Sequence, residues 1–231
     1  MFKRSRTRTR KTPYKKRRVS RLNQQLPRRT QDVGDLLPVL LKTQLTYHQT
    51  VVLPTTISVG TTQHNFRLGS LFDPDYTTTG HQPYGFDQLA AFYSRYYVTG
   101  ARMYARFVTS SPDNESTSTG PMLVGVTSKQ TITFPSTDPD TWAEHPLTQS
   151  RLQAVDENST ELMCQYDPTM VGYTKEDRSN ISSVGGNPPS SDWFGTVWVW
   201  NTGNTAATNT ICHVRIEYDC EFSRPNTMSP S

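Results

Sequence analysis

The chain has 231 residues, of which 33% are hydrophobic, and it carries 24 Lys and Arg against 20 Asp and Glu. No stretch approaches the roughly twenty consecutive apolar residues of a membrane-spanning helix, so we expect no insertion into a membrane. No apolar run follows the N-terminal charges, and this excludes a secretory signal.

The charge is divided unevenly along the chain. Residues 1–30 contain thirteen of the 24 basic residues and neither Asp nor Glu. The other 201 residues therefore hold 11 basic and 20 acidic side chains, so that an arm of +13 precedes a body of −9. The basic residues of this arm are Lys3, Arg4, Arg6, Arg8, Arg10, Lys11, Lys15, Lys16, Arg17, Arg18, Arg21, Arg28 and Arg29.

So many like charges, with almost no apolar side chains among them, predict an arm that is disordered when free. Its expected partner is single-stranded nucleic acid, because each cation that neutralises a phosphate releases condensed counterions. If all thirteen cations bind one strand, the slope of log affinity against log salt concentration is about −9. Phe2 and Tyr14 can add stacking on unpaired bases, which tolerates any sequence.

The arm also contains a short basic cluster of the kind that directs nuclear import. This cluster consists of Lys15, Lys16, Arg17 and Arg18, and residues 6–11 form a similar one. We therefore predict that host nuclear import receptors are a second class of partner. The two roles are compatible, because both need only exposed positive charge.

The folded domain is predicted over residues 44–224, after a hinge at 31–43 in which Pro38 prevents a helix. Residues 225–231 are expected to form a C-terminal tail. The first strand is predicted at 44–53, because apolar and polar side chains alternate there. A second short strand is expected at 65–72.

The stretch GHQPYGFDQLAAFYSRYYVTGARMYARFV spans residues 80–108. Its glycines and proline predict a turn, after which Asp87 can cap a short helix over 88–95. From Tyr97 the period changes to two, which predicts a strand of about ten residues. One face of that strand carries Thr99, Ala101, Met103, Ala105 and Phe107, and the other carries Arg102, Tyr104 and Arg106.

The rest of the chain predicts five more strands, one helical turn within 135–146 and a long surface loop over 167–192. These strands are expected at Met122–Lys129, 151–155, 161–165, 193–201 and 210–222. The strand at 193–201 is apolar on both faces, which favours a central position in a sheet. The last strand alternates, with Cys212, Val214, Ile216, Tyr218, Cys220 and Phe222 inward and His213, Arg215, Glu217, Asp219 and Glu221 outward.

The sequence therefore predicts an all-β fold, an antiparallel sandwich of about eight strands with one short helix. Eight antiparallel strands in two sheets is the number found in jelly rolls, although alternation alone does not determine the topology. Cys164, Cys212 and Cys220 are predicted to be reduced, buried thiols, because an odd number of cysteines without a secretory signal is typical of an intracellular protein.

Motifs for catalysis or metal binding are absent from the sequence. The five histidines form no metal-spaced pair, and there is no P-loop, G-x-S-x-G or C-x-x-C. Asp73 with Asp75, or Asp138 with Asp140, would supply two carboxylates, whereas Ca²⁺ takes six to eight oxygen ligands. We therefore predict no catalytic residue, no metal and no cofactor.

The run GHQPYGFDQ at residues 80–88, followed by an aromatic-rich helix and a strand, resembles the capsid proteins of circovirus-like single-stranded DNA viruses that encode a replication initiator. The Arg-rich N-terminus and the alternating last strand are also similar to that family. The resemblance implies a single eight-stranded jelly roll and a virion of sixty copies in a T=1 icosahedral shell. It further implies basic arms inside on the genome, assembly in the host nucleus and a host surface receptor that the sequence does not specify.

Three further points remain open at this stage. Positive-strand RNA viruses have similar jelly-roll coats, so the packaged strand can be DNA or RNA. A non-capsid nucleic-acid-binding protein with a basic tail is the other alternative. Arg102 and Arg106 can add contacts to the genome, but cross-strand pairing with Glu217 or Asp219 is the commoner fate of such residues, and we favour it.

Overall fold

The computed structural model describes residues 37–55, 61–77, 80–109, 121–133, 138–154, 159–174, 181–186, 189, 191–202 and 208–226. The basic arm, residues 31–36 of the predicted hinge and most of the predicted tail lie outside them. Within these ranges, no helix is long and apolar enough to span a membrane.

The described part of the chain consists of nine strands, two short α-helices and one 3-10 helix. In chain order they are β1 Leu40–Thr55, β2 Thr61–Arg67, α1 Phe86–Phe92, β3 Tyr93–Thr109, β4 Met122–Lys129, α2 Pro139–Ala143, β5 Thr148–Gln153, β6 Thr160–Tyr166, the 3-10 helix Pro168–Val171, β7 Ser182–Ser183, β8 Phe194–Asn201 and β9 Thr208–Pro225.

The strands form two antiparallel sheets. One has the order β1-β9-β3-β6, with the two-residue β7 added to β3, and the other has the order β2-β8-β4-β5. The chain crosses between the sheets after β1, β2, β3, β5, β7 and β8, and the order of the eight long strands is that of a jelly roll. The predicted sandwich is confirmed, and the pairing supplies the topology that alternation could not.

The core lies between the inward faces of the two sheets. All six residues of β9 predicted to point inward are buried, as are Ala101, Met103, Ala105 and Phe107 of β3. Because successive side chains of a strand point to opposite faces, each alternating strand contributes one apolar row to this layer. Each large side chain buried in this way contributes about 1.5–3 kcal/mol.

The connections between strands lie at two opposite ends of the sandwich. Thr55 is paired with Thr208, and Met122 is paired with both Gln153 and Asn201, so that the β1–β2, β3–β4, β5–β6 and β8–β9 connections share one end. The chain enters β1 at the other end, where Leu40 is paired with Ser223. Tyr93, directly after α1, is paired with Pro225 at this same end.

Two strand boundaries differ from the prediction. Strand β1 begins at Leu40, inside the predicted hinge, because β9 continues far enough to pair with these residues and the Lys42 ammonium lies 3.0 Å from Glu221. Strand β2 ends at Arg67 rather than at 72, since residues 68–72 turn back. There the Ser70 hydroxyl lies 2.9 Å from the hydroxyl of Tyr96 in the core.

The predicted helix 88–95 was placed too late, and Asp87 does not cap it. Helix α1 spans Phe86–Phe92, and its N-cap is Gly85, whose φ of 91° lies in the left-handed region that favours glycine. The helix ends because Tyr93 is already extended and buried in the sheet. Three aromatic rings, those of Phe86, Tyr96 and Phe222, lie within 5.5–6.3 Å of one another and fix the helix to the core.

The observed bounds of two further strands also differ from the predicted bounds by a few residues. Strand β5 spans Thr148–Gln153 instead of 151–155, and β9 extends to Pro225, the first residue of the predicted tail. The predicted surface loop 167–192 contains the 3-10 helix and β7, whereas 175–180, 187–188 and 190 lie outside the described residues. Strand β4 and the helical turn in 135–146 are confirmed.

Strand β8 is central, as predicted, and is buried on both faces, with Trp142 of α2 packed on part of its outward side. The ring of Trp142 from α2 packs against that of Trp198 at 5.4 Å, and the Trp198 indole nitrogen donates to the Thr127 hydroxyl at 3.0 Å. On the paired strand β4, Gly125 leaves room for the Trp198 ring. A Cβ atom there would lie 2.2 Å from it.

We predict that Gly125→Ala lowers the free energy of unfolding by about 1–3 kcal/mol, because the added methyl overpacks the site and displaces Trp198. Urea denaturation followed by tryptophan fluorescence measures this change. Gly185→Ala is the matched control, since a Cβ there meets only the Ser183 hydroxyl at 3.6 Å. Equal midpoints for the two variants would contradict the packing described here.

Candidate nucleic-acid interface

The thirteen arm residues predicted to bind nucleic acid, Lys3, Arg4, Arg6, Arg8, Arg10, Lys11, Lys15, Lys16, Arg17, Arg18, Arg21, Arg28 and Arg29, lie outside the described residues. Their role in binding, and that of residues 15–18 in nuclear import, therefore stays a prediction. The described residues instead show a second polar surface. This is the outward face of the β1-β9-β3-β6 sheet.

Register aligns the outward side chains of this sheet in rows that cross the strands. One row contains Thr46, Glu217, Arg102 and Gln165, the next contains His48, Arg215, Tyr104 and Met163, and the third contains Thr50, His213, Arg106 and Glu161. Neighbouring side chains in a row are close enough to interact, and so are diagonal neighbours with long side chains. The distribution of charge over the rows therefore determines what the face can bind.

The rows nearest the start of β1 are acidic and internally paired. An Arg102 guanidinium nitrogen lies 3.7 Å from a Glu217 carboxylate oxygen and 3.8 Å from one of Asp219, so the favoured cross-strand pairing is confirmed for Arg102. Glu221 lies on the outward face as predicted, although it is only 5% exposed. It pairs with Lys42 at 3.0 Å.

The next two rows are basic and form a shallow depression of about 520 Å³. It is lined by His48, Tyr104, Arg106, Glu161, His213 and Arg215. The Arg215 guanidinium carbon lies 4.7 Å from the centre of the Tyr104 ring, and the Thr50 hydroxyl lies 2.9 Å from Nδ1 of His213. Arg106 is exposed and has no carboxylate within ion-pair distance among the residues that the structure describes.

The sequence placed His48, Arg106, His213 and Arg215 on outward faces of their strands but did not bring them together. Their proximity depends on β9 lying between β1 and β3, and on the register that opposes Arg215 to both His48 and Tyr104. Strand alternation carries no information on register between strands more than a hundred residues apart. The only signal in the sequence was that basic residues occur on the outward faces of both β3 and β9.

A buried polar network occupies the edge between β1 and β2. The Asp75 carboxylate is 1% exposed and accepts hydrogen bonds from Gln49 Nε2 at 2.6 Å and from the Thr77 backbone N–H and hydroxyl, both at 2.9 Å. His64 Nε2 lies 2.8 Å from the same carboxylate, and the Tyr47 hydroxyl donates to the Gln49 side-chain oxygen. Burial would raise the pKa of Asp75, but hydrogen bonds from Thr77 and Gln49, together with His64, hold it below the ordinary value.

The acidic pairs considered as Ca²⁺ ligands are used in local structure. Both oxygens of Asp75 belong to the network just described, and Asp138 caps α2 by accepting from the Asp140 backbone N–H at 3.1 Å. No cluster of three or more His, Cys, Asp or Glu suited to a metal ion occurs in the described ranges. His81 stacks on Tyr47, with ring centres 4.8 Å apart.

The three cysteines are free and buried, as predicted. Burial raises the pKa of Cys164 to about 12 and that of Cys220 to about 12, and it also raises the pKa of Cys212. The thiolate is the nucleophilic form of cysteine. These side chains are therefore protonated at neutral pH and act as small apolar residues of the core.

No protein-family model matches the chain, and no curated protein matches it. Its fold is similar to that of solved structures of Cocksfoot mottle virus (7% identity, 81% of this chain and 97% of that chain, TM-score 0.49) and tobacco necrosis virus (12%, 80% and 97%, 0.47). It is also similar to the BFDV capsid protein in its 60-mer form (11%, 83% and 97%, 0.44). These are likenesses of fold, which the strand order above establishes independently.

We predict that Asp75→Asn destabilises the sandwich at pH 7 by about 1.5–3 kcal/mol, because hydrogen bonds to a buried charge are lost. A carboxyl whose pKa is lower in the folded state stabilises above its unfolded pKa and stops doing so as pH falls through the folded value. The difference in unfolding free energy between wild type and variant should therefore be constant above about pH 5 and shrink below pH 4.

Urea denaturation at several pH values measures this difference. Asp138→Asn is the control, since Asn is an equally good N-cap and should change stability little at any pH. An Asp75→Asn variant as stable as wild type at pH 7 would show that the network does not stabilise the fold.

Proposed function

We propose that the chain is a viral capsid protein that assembles into a small icosahedral shell and packages a single-stranded DNA genome through residues 1–30. The observation that carries the proposal is the separation of charge, with +13 in the first thirty residues and −9 in the remainder. A jelly-roll sandwich is a fold from which virus shells are built. A chain that joins this fold to such an arm can both form the shell and bind the genome.

The charge on the arm suits neutralisation of phosphate without readout of sequence. In a shell of sixty copies, roughly 780 positive charges would face the packaged strand, each releasing counterions on contact. An acidic sandwich repels the same polyanion. The genome is thereby drawn to the side of the wall on which the arms lie.

We further propose that residues 15–18 direct the chain to the host nucleus, where a circular single-stranded DNA genome is available for packaging. The support is the run of four basic side chains in an arm that also contains 6–11. The proposed function includes no catalytic step. In the virion the chain acts through assembly with copies of itself.

Replacing all thirteen Lys and Arg of residues 1–30 by Gln should abolish packaging and leave the sandwich folded, because the arm contains few apolar side chains and these substitutions remove none of them. The readouts are nuclease-protected nucleic acid in purified particles and the urea midpoint. In the control, the nine arginines of the arm become Lys, which keeps the charge and should keep packaging.

Protected nucleic acid at the wild-type level in the Gln variant would refute the role of the arm. Sequencing the protected strand from wild-type particles distinguishes a DNA genome from an RNA genome. Protein that only retards nucleic acid, without forming shells at low salt, would indicate a non-capsid binding protein instead.

Replacing Lys15, Lys16, Arg17 and Arg18 by Gln should move a fluorescent fusion of the full chain from the nucleus to the cytoplasm of host-type cells, since the import receptor loses its basic cluster. The matched control removes four other arm charges, Lys3, Arg21, Arg28 and Arg29. Nuclear accumulation of the first variant at the control level would contradict the signal proposed here.

A further inference from the structure

Two arginines of the outward face are placed to hold adjacent phosphates. Arg106 is directly opposite His213 on β9, and Arg215 is two residues further along β9, opposite Tyr104. The two arginines are therefore diagonal cross-strand neighbours, about 7–8 Å apart at their backbones. His213 on β9 is the neighbour of Arg106, and His48 on β1 is the neighbour of Arg215, both within the same depression.

We propose that this depression is a second binding site for single-stranded nucleic acid, with Arg106 and Arg215 on the phosphates and Tyr104 beside a base. The identity of the ligand as the packaged strand rests on the proposed function, whereas the site itself rests on the sheet. It is independent of the arm, because every residue in it belongs to β1, β3, β6 or β9.

Arg102 shows why the site is limited to these rows. It lies on the same strand and the same face as Arg106, but it has two carboxylates, those of Glu217 and Asp219 on β9, at 3.7 and 3.8 Å. Arg215 has one, that of Glu217 at 3.6 Å, and its side chain is still 49% exposed. Arg106 has Glu161 as its neighbour on β6 without an ion pair between them in the described structure. The acidic rows thus keep a polyanion away from one half of the face, and the basic rows attract it to the other.

Tyr104 and Arg215 together form a stacking platform. The guanidinium of Arg215 lies over the Tyr104 ring at 4.7 Å, and its side chain is 49% exposed. A guanidinium plane and an aromatic ring both stack on nucleic-acid bases, and such stacking tolerates any base. The platform adjoins Arg106, so one nucleotide can place its base on the platform and its phosphate on the arginine.

The test measures binding of the full-length protein to an oligothymidine and an oligouridine of about thirty nucleotides over a range of NaCl concentrations. For Arg106→Gln with Arg215→Gln, the slope of log affinity against log salt should become less steep by about 1.4, two contacts at about 0.7 each. The DNA and RNA oligonucleotides should give the same change in slope, because both have the same backbone phosphates. Arg102→Gln is the matched control and should leave the slope near the wild-type value.

A second measurement locates the bound oligonucleotide on the protein. Photo-crosslinking of a 5-bromouracil-substituted oligonucleotide to the full chain, followed by mass spectrometry, should place crosslinks on the peptide that contains Tyr104, and the double variant should lose them. Wild-type slope in the double variant, or crosslinks confined to residues 1–30, would overturn the site while leaving packaging by the arm intact. The variant in which the thirteen Lys and Arg of residues 1–30 are replaced by Gln tests the proposed function separately, through its loss of oligonucleotide binding.

Discussion

The pairing of β9 with β1 on one side and β3 on the other is the interaction on which the rest of the structure depends. β9 spans Thr208–Pro225 and is paired with β1 from Ser223 to Thr208 and with β3 from Pro225 to Thr210. Because side chains alternate along a strand, a slip of one residue would turn its apolar row to solvent and its charged row into the core. Core packing therefore selects this register strongly, and everything on the outward face follows from it.

The same register also determines which charged side chains become neighbours on the outward face. It places Arg102 between Glu217 and Asp219, and it places Arg106 and Arg215 next to each other, with Glu161 in their rows and with Glu217 3.6 Å from Arg215. Exposed ion pairs contribute little to stability, with a median of about 0–1 kcal/mol. The ion pairs on this face therefore contribute little to folding.

The strength of the sequence signals explains which features could be predicted. β9 alternates and β8 is apolar on both faces, and the positions of both were predicted to within a few residues. The start of β1 was not, because Leu40–Lys42 lack a pattern of their own and are extended only by pairing with β9. Helix α1 was displaced because Asp87 is a good capping residue in isolation, whereas the packing of Phe86 and Tyr93 sets the position of the helix. The basic depression required contacts between β1, β3 and β9, which no single segment encodes.

The two cationic features of the chain differ in how they depend on the fold. In the proposed function the arm requires only charge density, so packaging would tolerate any order of Lys and Arg within the first thirty residues. The basic rows require position, since Arg106 and Arg215 are neighbours only while β9 keeps its register against β3. Nucleic acid held by the arm as proposed would therefore be free to slide, whereas nucleic acid held by the proposed site on the sheet would be fixed relative to each subunit. A wall made of many copies would then impose its own repeat on the part of the genome nearest to it, while the arms neutralise the remainder.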